Sequence, residues 1–180
     1  SMAKYLVSIN DLPPDGKSFN LTDQEIWLDP IREFKMDCRI EKPLEATISV
    51  QPAEDGCLVR GAIGGEVVAP CNRCAENARI GINAHFDEFE EIPLESALHK
   101  GHGEGESHVV YERHAPMLDL GGVAWEQFML AMPVNPLCRP DCKGLCPICG
   151  ANLNLEACDC HKEEEDPRMA PLRNLKVGKK

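Results

Sequence analysis

The chain is expected to fold as an α+β protein: an antiparallel β-meander with one packing helix, followed by a C-terminal cysteine-rich module. Three observations carry that expectation. Apolar residues alternate with polar ones from about Leu44 to Phe86, the stretch from Asp119 to Met132 repeats at helical spacing, and six of the ten cysteines fall within the 24 residues Cys138 to His161. A period of two marks a half-buried strand, and a period of 3.6 marks an amphipathic helix. The expected organisation is residues 1–136 as a sheet domain with its helix, 137–161 as a zinc-binding module, and 162–180 as an acidic run and basic tail. A chain of 180 residues can bury a substantial core, but with only 5% aromatics it is expected to draw part of its stability from bound metal.

The elements follow in order. Tyr5 to Ile9 is the first strand candidate, and the Pro- and Asp-rich DLPPDGK after it reads as a loop. Thr22 with Glu25 three residues on is a capping pattern for a short helix around QEIW, which Pro30 is expected to end. Leu44, Ala46, Ile48 and Val50 share one strand face, with Glu45, Thr47 and Ser49 on the other. Glu54-Asp55-Gly56 supplies a turn, and Cys57–Ile63 and Glu66–Ala69 read as two strands joined by a Gly64-Gly65 hairpin. Ile80, Ile82, Ala84 and Phe86 give the next strand, which puts Cys71-Asn72-Arg73-Cys74 at the tip between two strands. Residues 87–106, with seven acids, one lysine and three glycines, read as an exposed loop, and His108 to Tyr111 as a strand. Asp119 is placed to cap a helix running to about Met132, with Ala124, Phe128 and Met132 on one stripe and Pro133 as the stop.

Charge is uneven. The last 14 residues carry five Lys or Arg and no acid, so residues 1–166 hold 14 basic against 30 acidic groups, a net −16. An acidic body repels phosphate backbones and attracts basic partners, which argues against broad nucleic-acid binding by the main surface and leaves the tail as the part suited to touch RNA. The N-terminus has no apolar run of signal-peptide type, and no stretch approaches the ~18 to 20 apolar residues that cross a bilayer, so a cytoplasmic protein without membrane contact is expected.

In a reducing compartment clustered cysteines are thiols rather than disulfides, and clustered thiolates repel one another unless a cation is bound. Cys146-Pro-Ile-Cys149-Gly150 has the form of a zinc knuckle, a tight turn that offers two sulfurs to a tetrahedral ion. Cys158 and Cys160 are the nearest further ligands, with His161 as a substitute. Cys138 and Cys142 then remain, as do Cys71 and Cys74, and pairing these halves completes a second site. The count of eight thiolates favours two zinc ions per chain, against one site built from Cys138, Cys142, Cys146 and Cys149. The spacing matches neither common ferredoxin pattern, which disfavours an iron–sulfur cluster. Cys38 and Cys57 read as small buried hydrophobes and as the only thiols left to titrate readily. His85 reads as a surface residue, and His99, His102 and His108 as solvated. No phosphate-binding glycine loop, nucleophile elbow or nucleophile–base pair is present, and all-thiolate zinc sites are closed to substrate, so no enzyme activity is expected.

The tip Cys71-Asn72-Arg73-Cys74-Ala75-Glu76, the helix end LAMPVNPLC, the segment CRPDCKGLCPICGANLN with its CDC, and DPRMAPLRNL resemble, in that order, the YceD family of large ribosomal RNA subunit accumulation proteins over roughly residues 40–176. The resemblance implies a cytosolic, non-enzymatic role in building the large ribosomal subunit. Some members lack the GLCPICG and CDC part yet keep the other two pairs, which implies that Cys71, Cys74, Cys138 and Cys142 group apart from Cys146, Cys149, Cys158 and Cys160. The expected function is a zinc-binding ribosome-biogenesis factor supporting 23S rRNA accumulation, whose acidic body holds a basic large-subunit ribosomal protein or precursor particle. The competing expectation is a thiol-based redox or zinc-release sensor.

Overall fold

The computed structural model describes residues 5–98 and 107–160. Strand β1 (Leu6–Ser8) leads through a single 3₁₀ turn to β2 (Lys17–Leu21) and helix α1 (Glu25–Glu33). Three long strands follow, β3 (Arg39–Ala53), β4 (Gly56–Pro70) and β5 (Asn77–Glu91), then the helical turn α2 (Glu95–Leu98), β6 (Val109–Glu112), β7 (Ala115–Asp119) and helix α3 (Leu120–Ala131). The strands form two antiparallel sheets, ordered β2-β3-β4-β5 and β1-β7-β6. The fold is α+β, as the alternating and helical periods predict. It differs from the expected single meander with one packing helix: the strands divide into two sheets, and α1 packs into the core alongside α3.

The main core is one cluster to which both sheets and both longer helices contribute; its largest fully buried side chains are Trp27 and Phe128, followed by Leu44, Ile48, Ile63 and Leu118. Asp119 caps α3 as expected, its Oδ1 accepting from the Gly122 amide at 3.0 Å. The helix turns Leu120, Val123, Ala124, Gln127 and Phe128 inward. His85 lies on the exposed face of β5.

The Gly64-Gly65 pair is not a hairpin. Both lie inside one continuous strand whose register with β5 runs unbroken from Gly56↔Glu91 to Pro70↔Asn77. The irregularity belongs to β3, whose pairing with β4 shifts on both sides of Lys42. Pro43 cannot donate to a ladder, so it sits where the ladder is broken. Gly65 lets that bulged backbone approach: its φ is +142°, and a Cβ there would lie 2.8 Å from the Pro43 carbonyl oxygen and 2.7 Å from a Leu44 methyl. Leu44 loses its strand partners at this point, and the Gln24 side chain replaces them. Its Oε1 accepts from the Leu44 amide at 2.9 Å, and its Nε2 donates to the Leu44 carbonyl at 2.8 Å.

Three further expectations are corrected. Pro30 does not end α1: the helix runs on to Glu33, because buried Ile26, Trp27 and Ile31 hold it against the core and Trp27 Nε1 donates to the Ala124 carbonyl at 3.4 Å. Packing here outweighs the backbone bond that proline removes. The amide of Glu25 is taken by Asp23 Oδ1 at 3.1 Å rather than by Thr22. Residues 87–91 belong to β5 rather than to an acidic loop; their inward positions carry Glu88 and Glu90, which hid the alternation. Strand β7, unread in the sequence, pairs with β6 through a two-residue turn in which Arg113 and His114 both have positive φ, 50° and 67°. Such turns normally carry Asn or Gly, and neither is present.

His108 is not solvated. Its Nδ1 lies 2.7 Å from Glu90 Oε1 and its Nε2 2.9 Å from Glu126 Oε2. Burial alone would lower its pKa, but the bond and charge of Glu90 and the charges of Glu126 and Asp119 raise it above the usual value. His99, His102 and part of the expected acidic loop lie outside the described residues, as do the acidic run and basic tail of 162–180.

Two outcomes are expected. Replacing Gln24 with Ala leaves the Leu44 amide and carbonyl unpaired and should cost about 1–3 kcal/mol in chemical denaturation. The stabilisation from His108 should be fully present below the unfolded histidine pKa of about 6.5 and be lost as pH rises through the elevated folded value. The stability gap between wild type and His108→Gln should therefore narrow toward alkaline pH, and a gap that widens would contradict the assignment.

Candidate metal centres

The β4–β5 connection is built as a knuckle. Pro70 closes β4, the Cys71 amide donates to the Glu76 carbonyl at 2.7 Å, and the Ala75 amide donates back to the Cys71 carbonyl at 2.9 Å. Ala75 takes a left-handed φ of 61°, which turns the chain into β5. Both cysteine side chains of this turn are buried, at 3% exposure each. Opposite them runs the segment that leaves α3, held by the Asn72 amide donating to the Pro136 carbonyl at 2.7 Å and by the Asn72–Asn135 side-chain bond.

Cys138 and Cys142 arrive on that segment. Cys71 Sγ lies 3.8 Å from Cys142 Sγ, Cys74 Sγ lies 3.6 Å from Cys138 Sγ, and all four sulfurs fall within 4.8 Å of one another. The four side chains join the sheet tip to residues more than 60 positions later in the sequence.

A second four-sulfur group, Cys146, Cys149, Cys158 and Cys160, meets the same 4.8 Å limit. Its knuckle is fixed by the Cys146 amide on the Ala151 carbonyl at 2.8 Å and the Gly150 amide on the Cys146 carbonyl at 2.9 Å, with Gly150 at φ 76°. Cys146 is buried, but Cys149 is exposed and Cys158 and Cys160 are half-buried. The geometry therefore separates Cys138 and Cys142 from Cys146 and Cys149, against the single-site alternative. His161 lies outside the described residues.

The two groups are physically coupled. Arg73 donates to the Cys142 carbonyl at 2.9 Å, and its own carbonyl accepts from the Leu145 amide at 3.1 Å. Gly144, at φ 77°, passes so close that a Cβ would lie 3.0 Å from the Arg73 carbonyl oxygen. Asn154, which the sequence reading did not single out, donates from Nδ2 to Cys142 Sγ at 3.3 Å. Its Oδ1 accepts from the Lys143 amide and from Arg139 at 2.8 Å each. A residue of the second module thus supports a sulfur of the first; no spacing rule marks an asparagine for that role.

The electrostatics of the two groups are alike. Burial pushes the Cys71 thiol up, but the amides of Cys138, Arg73 and Cys74 more than offset it and bring it down to about 6. Burial and the three neighbouring sulfurs push Cys138 up to about 12. In the second group the amides of Cys149 and Ile148 hold Cys146 down to about 6, while the bond to Cys149 and then burial push Cys160 up to about 12. In the first group burial also pushes Cys142 up, but the Asn154 side chain and the Gly144 amide outweigh it and lower this thiol as well. Each group thus favours thiolate at its amide-rich positions and opposes it at the last. A bound cation reverses that opposition, so both groups have the donor set and charge logic of a metal site.

Outside these groups, Cys57 is fully buried and Cys38 partly so, both packed with the core. Burial and then the charge of Glu90 raise the Cys57 thiol to about 11. This corrects the expectation that both titrate readily. Alkylation of the native protein should leave Cys57 unmodified in peptide mass spectra and label it only after denaturation; rapid native labelling would contradict the burial.

Comparison with known proteins places these features. The family described as large ribosomal RNA subunit accumulation protein YceD matches residues 59–176, a span that contains both cysteine groups. An uncharacterized protein of Mycobacterium tuberculosis is 35% identical over 133 residues, covering 72% of this chain and 60% of that protein. The Arabidopsis thaliana protein named large ribosomal RNA subunit accumulation protein YCED homolog 1, chloroplastic, is 28% identical over 156 residues, covering 74% of this chain and 49% of that protein. A Zea mays protein of the same name is 27% identical over 157 residues, covering 74% and 53%. The chain thus spans about half to 60% of the length of these relatives. No solved structure matches it. On the family match, the chain belongs to the YceD family.

Proposed function

We propose that the protein is a non-enzymatic, zinc-stabilised factor of the cytoplasm that supports accumulation of the large-subunit (23S) rRNA. In this reading its acidic body binds a basic large-subunit ribosomal protein or precursor particle, and its basic tail contacts rRNA. The family description and the names of the plant relatives support the rRNA role. The observation that carries the reading is the pair of four-thiol groups. A tetrahedral zinc with Zn–S bonds of ~2.3 Å spaces its sulfurs about 3.8 Å apart. The 3.8 and 3.6 Å separations in the first group suit that geometry. Four thiolates fill the coordination shell and leave no position for substrate, so such sites brace a structure. No helix of the described residues is long and apolar enough to cross a membrane.

A second reading, a zinc-release or thiol-redox sensor, draws on the exposure of Cys149 in the second group. Under it, mild peroxide would release one zinc reversibly and change the partner bound.

The test combines metal content with function. Elemental analysis of protein purified without chelator is expected to return two zinc ions per chain, and Cys71→Ser and Cys158→Ser are each expected to lose one. Cys71→Ser should lower the melting temperature more, because its site closes a far longer loop. Cells depleted of the protein should lose large-subunit rRNA and regain it with the wild-type chain but not with Cys71→Ser. One zinc per chain, a brown iron protein, or unchanged rRNA on depletion would each remove the corresponding part of the proposal.

A further inference from the structure

Helix α3 is apolar on almost every side. Its only polar side chains are Glu126 and Gln127, and both are engaged: Gln127 is buried and donates to Glu88 at 2.9 Å, and Glu126 holds His108. The outward face is left to Trp125, Met129 and Leu130, with Met129 41% and Leu130 69% exposed. A helix that is hydrophobic all round is ordinarily covered all round. Phe34, just past the end of α1, extends this surface: it is 62% exposed and stacks on Trp125 with ring centroids 6.1 Å apart and planes at 17°.

Between the two helices lies a cavity of about 240 Å³. Ile26, Phe34 and Trp125 give it an apolar lining, and Glu25, Asp29 and Glu33 put carboxylates on it, with no lysine or arginine among the lining residues. The nearby cation Arg32 is bound to Glu25 and Asp29, at 2.9 and 3.1 Å.

We infer that this groove is a docking surface for a basic amphipathic helix of a partner protein. A large apolar side chain of that helix enters the cavity against Trp125 and Phe34, and its lysines or arginines lie over Glu25, Asp29 and Glu33. Apolar grooves receive helices through such anchors, and complementary charge on the rim selects the partner and speeds encounter. The same carboxylates disfavour the other occupants. Nucleic acid and anionic lipid bring negative charge onto negative charge, and a second copy of this chain would set one acidic rim against another. The inference deepens the proposed function by naming where a basic partner binds. It uses none of the cysteines, so either can fail while the other stands.

The experiment uses the full chain and a short helical peptide of leucine and lysine, with a leucine–glutamate peptide as control. Trp125 is the reporter, because the other tryptophan, Trp27, is fully buried. The expected result is saturable one-to-one binding of the leucine–lysine peptide with a change in tryptophan emission, weakened by salt. Phe34→Ser and the double change Asp29→Lys with Glu33→Lys should each weaken it by roughly tenfold or more, as loss of an interface anchor does. Both alter exposed side chains and should leave the melting temperature near wild type. The proposal is overturned if both variants bind the peptide like wild type, or if the leucine–glutamate peptide binds equally well. It is also overturned if the wild-type protein is a dimer that Phe34→Ser dissociates, since the occupant is then a second copy. Tighter peptide binding after removal of residues 161–180 would assign the groove to the chain's own tail.

Discussion

Four thiols meet where the long β4–β5 turn touches the segment leaving α3, and the close approach of their sulfurs governs how the molecule is joined. Repulsion among clustered thiolates grows with each proton removed, so the arrangement persists as a compact group only while protons or a cation balance it. The backbone shows this balance locally: amides converge on Cys71 and on Cys146, while Cys138 and Cys160 are left among neighbouring sulfurs. The small second cluster of buried residues, Cys71, Cys74, Ala78 and Cys142, has no other apolar mass than flanking Leu137 and Cys138. A junction this thin holds by its sulfur chemistry and by a few backbone bonds rather than by a hydrophobic core.

The main body is organised differently. Its core is continuous, and its irregular points are each answered by a specific side chain. The β3 bulge is answered by Gln24, the inward Glu88 by Gln127, and the inward Glu90 by His108. Buried side-chain nitrogens and oxygens among the described residues all have partners. Polar groups placed on an inner face demand such pairing, since a buried donor or acceptor without one is costly. These pairs also link α1 and α3 to the large sheet at defined positions, which fixes the spacing of the two helices whose outer sides form the acidic groove.

Much of this was legible in the sequence because it rests on local period and residue chemistry. The alternation around Ile48 and Ile82, the Asp119 cap and the CNRC tip each announce themselves within a few residues. The grouping of eight cysteines into two sets of four followed from counting and from family resemblance, and the structure brings together the same two sets. What escaped was set by contacts made at a distance. Pro30 stays helical because Trp27 reaches Ala124, 97 positions later in the sequence. Gly64-Gly65 has the composition of a turn, but Gly65 serves to admit the Pro43 bulge of another strand. Glu88 and Glu90 look like loop acids until their partners are known, Gln127 on α3 and His108 just before β6. Asn154 has no signature at all; its role exists only because the second module folds against Cys142.

The unbroken pairing of β4 with β5 has a consequence for how this chain can vary in length. Side chains in a strand alternate between two faces, so a one-residue slip exchanges every inward position for an outward one. In β5 the inward set includes Ala78, Ile80, Ile82, Phe86 and Glu90, and the same ladder ends at the turn that carries Cys71 and Cys74. A single inserted residue between Asn77 and Glu91 would therefore push either the core residues on one side of it or the acids on the other onto the wrong surface, and would shift one end of the molecule against the other. Length changes in this part of the chain are expected instead outside the paired residues, in the Glu54-Asp55 turn or in the connection that follows β5.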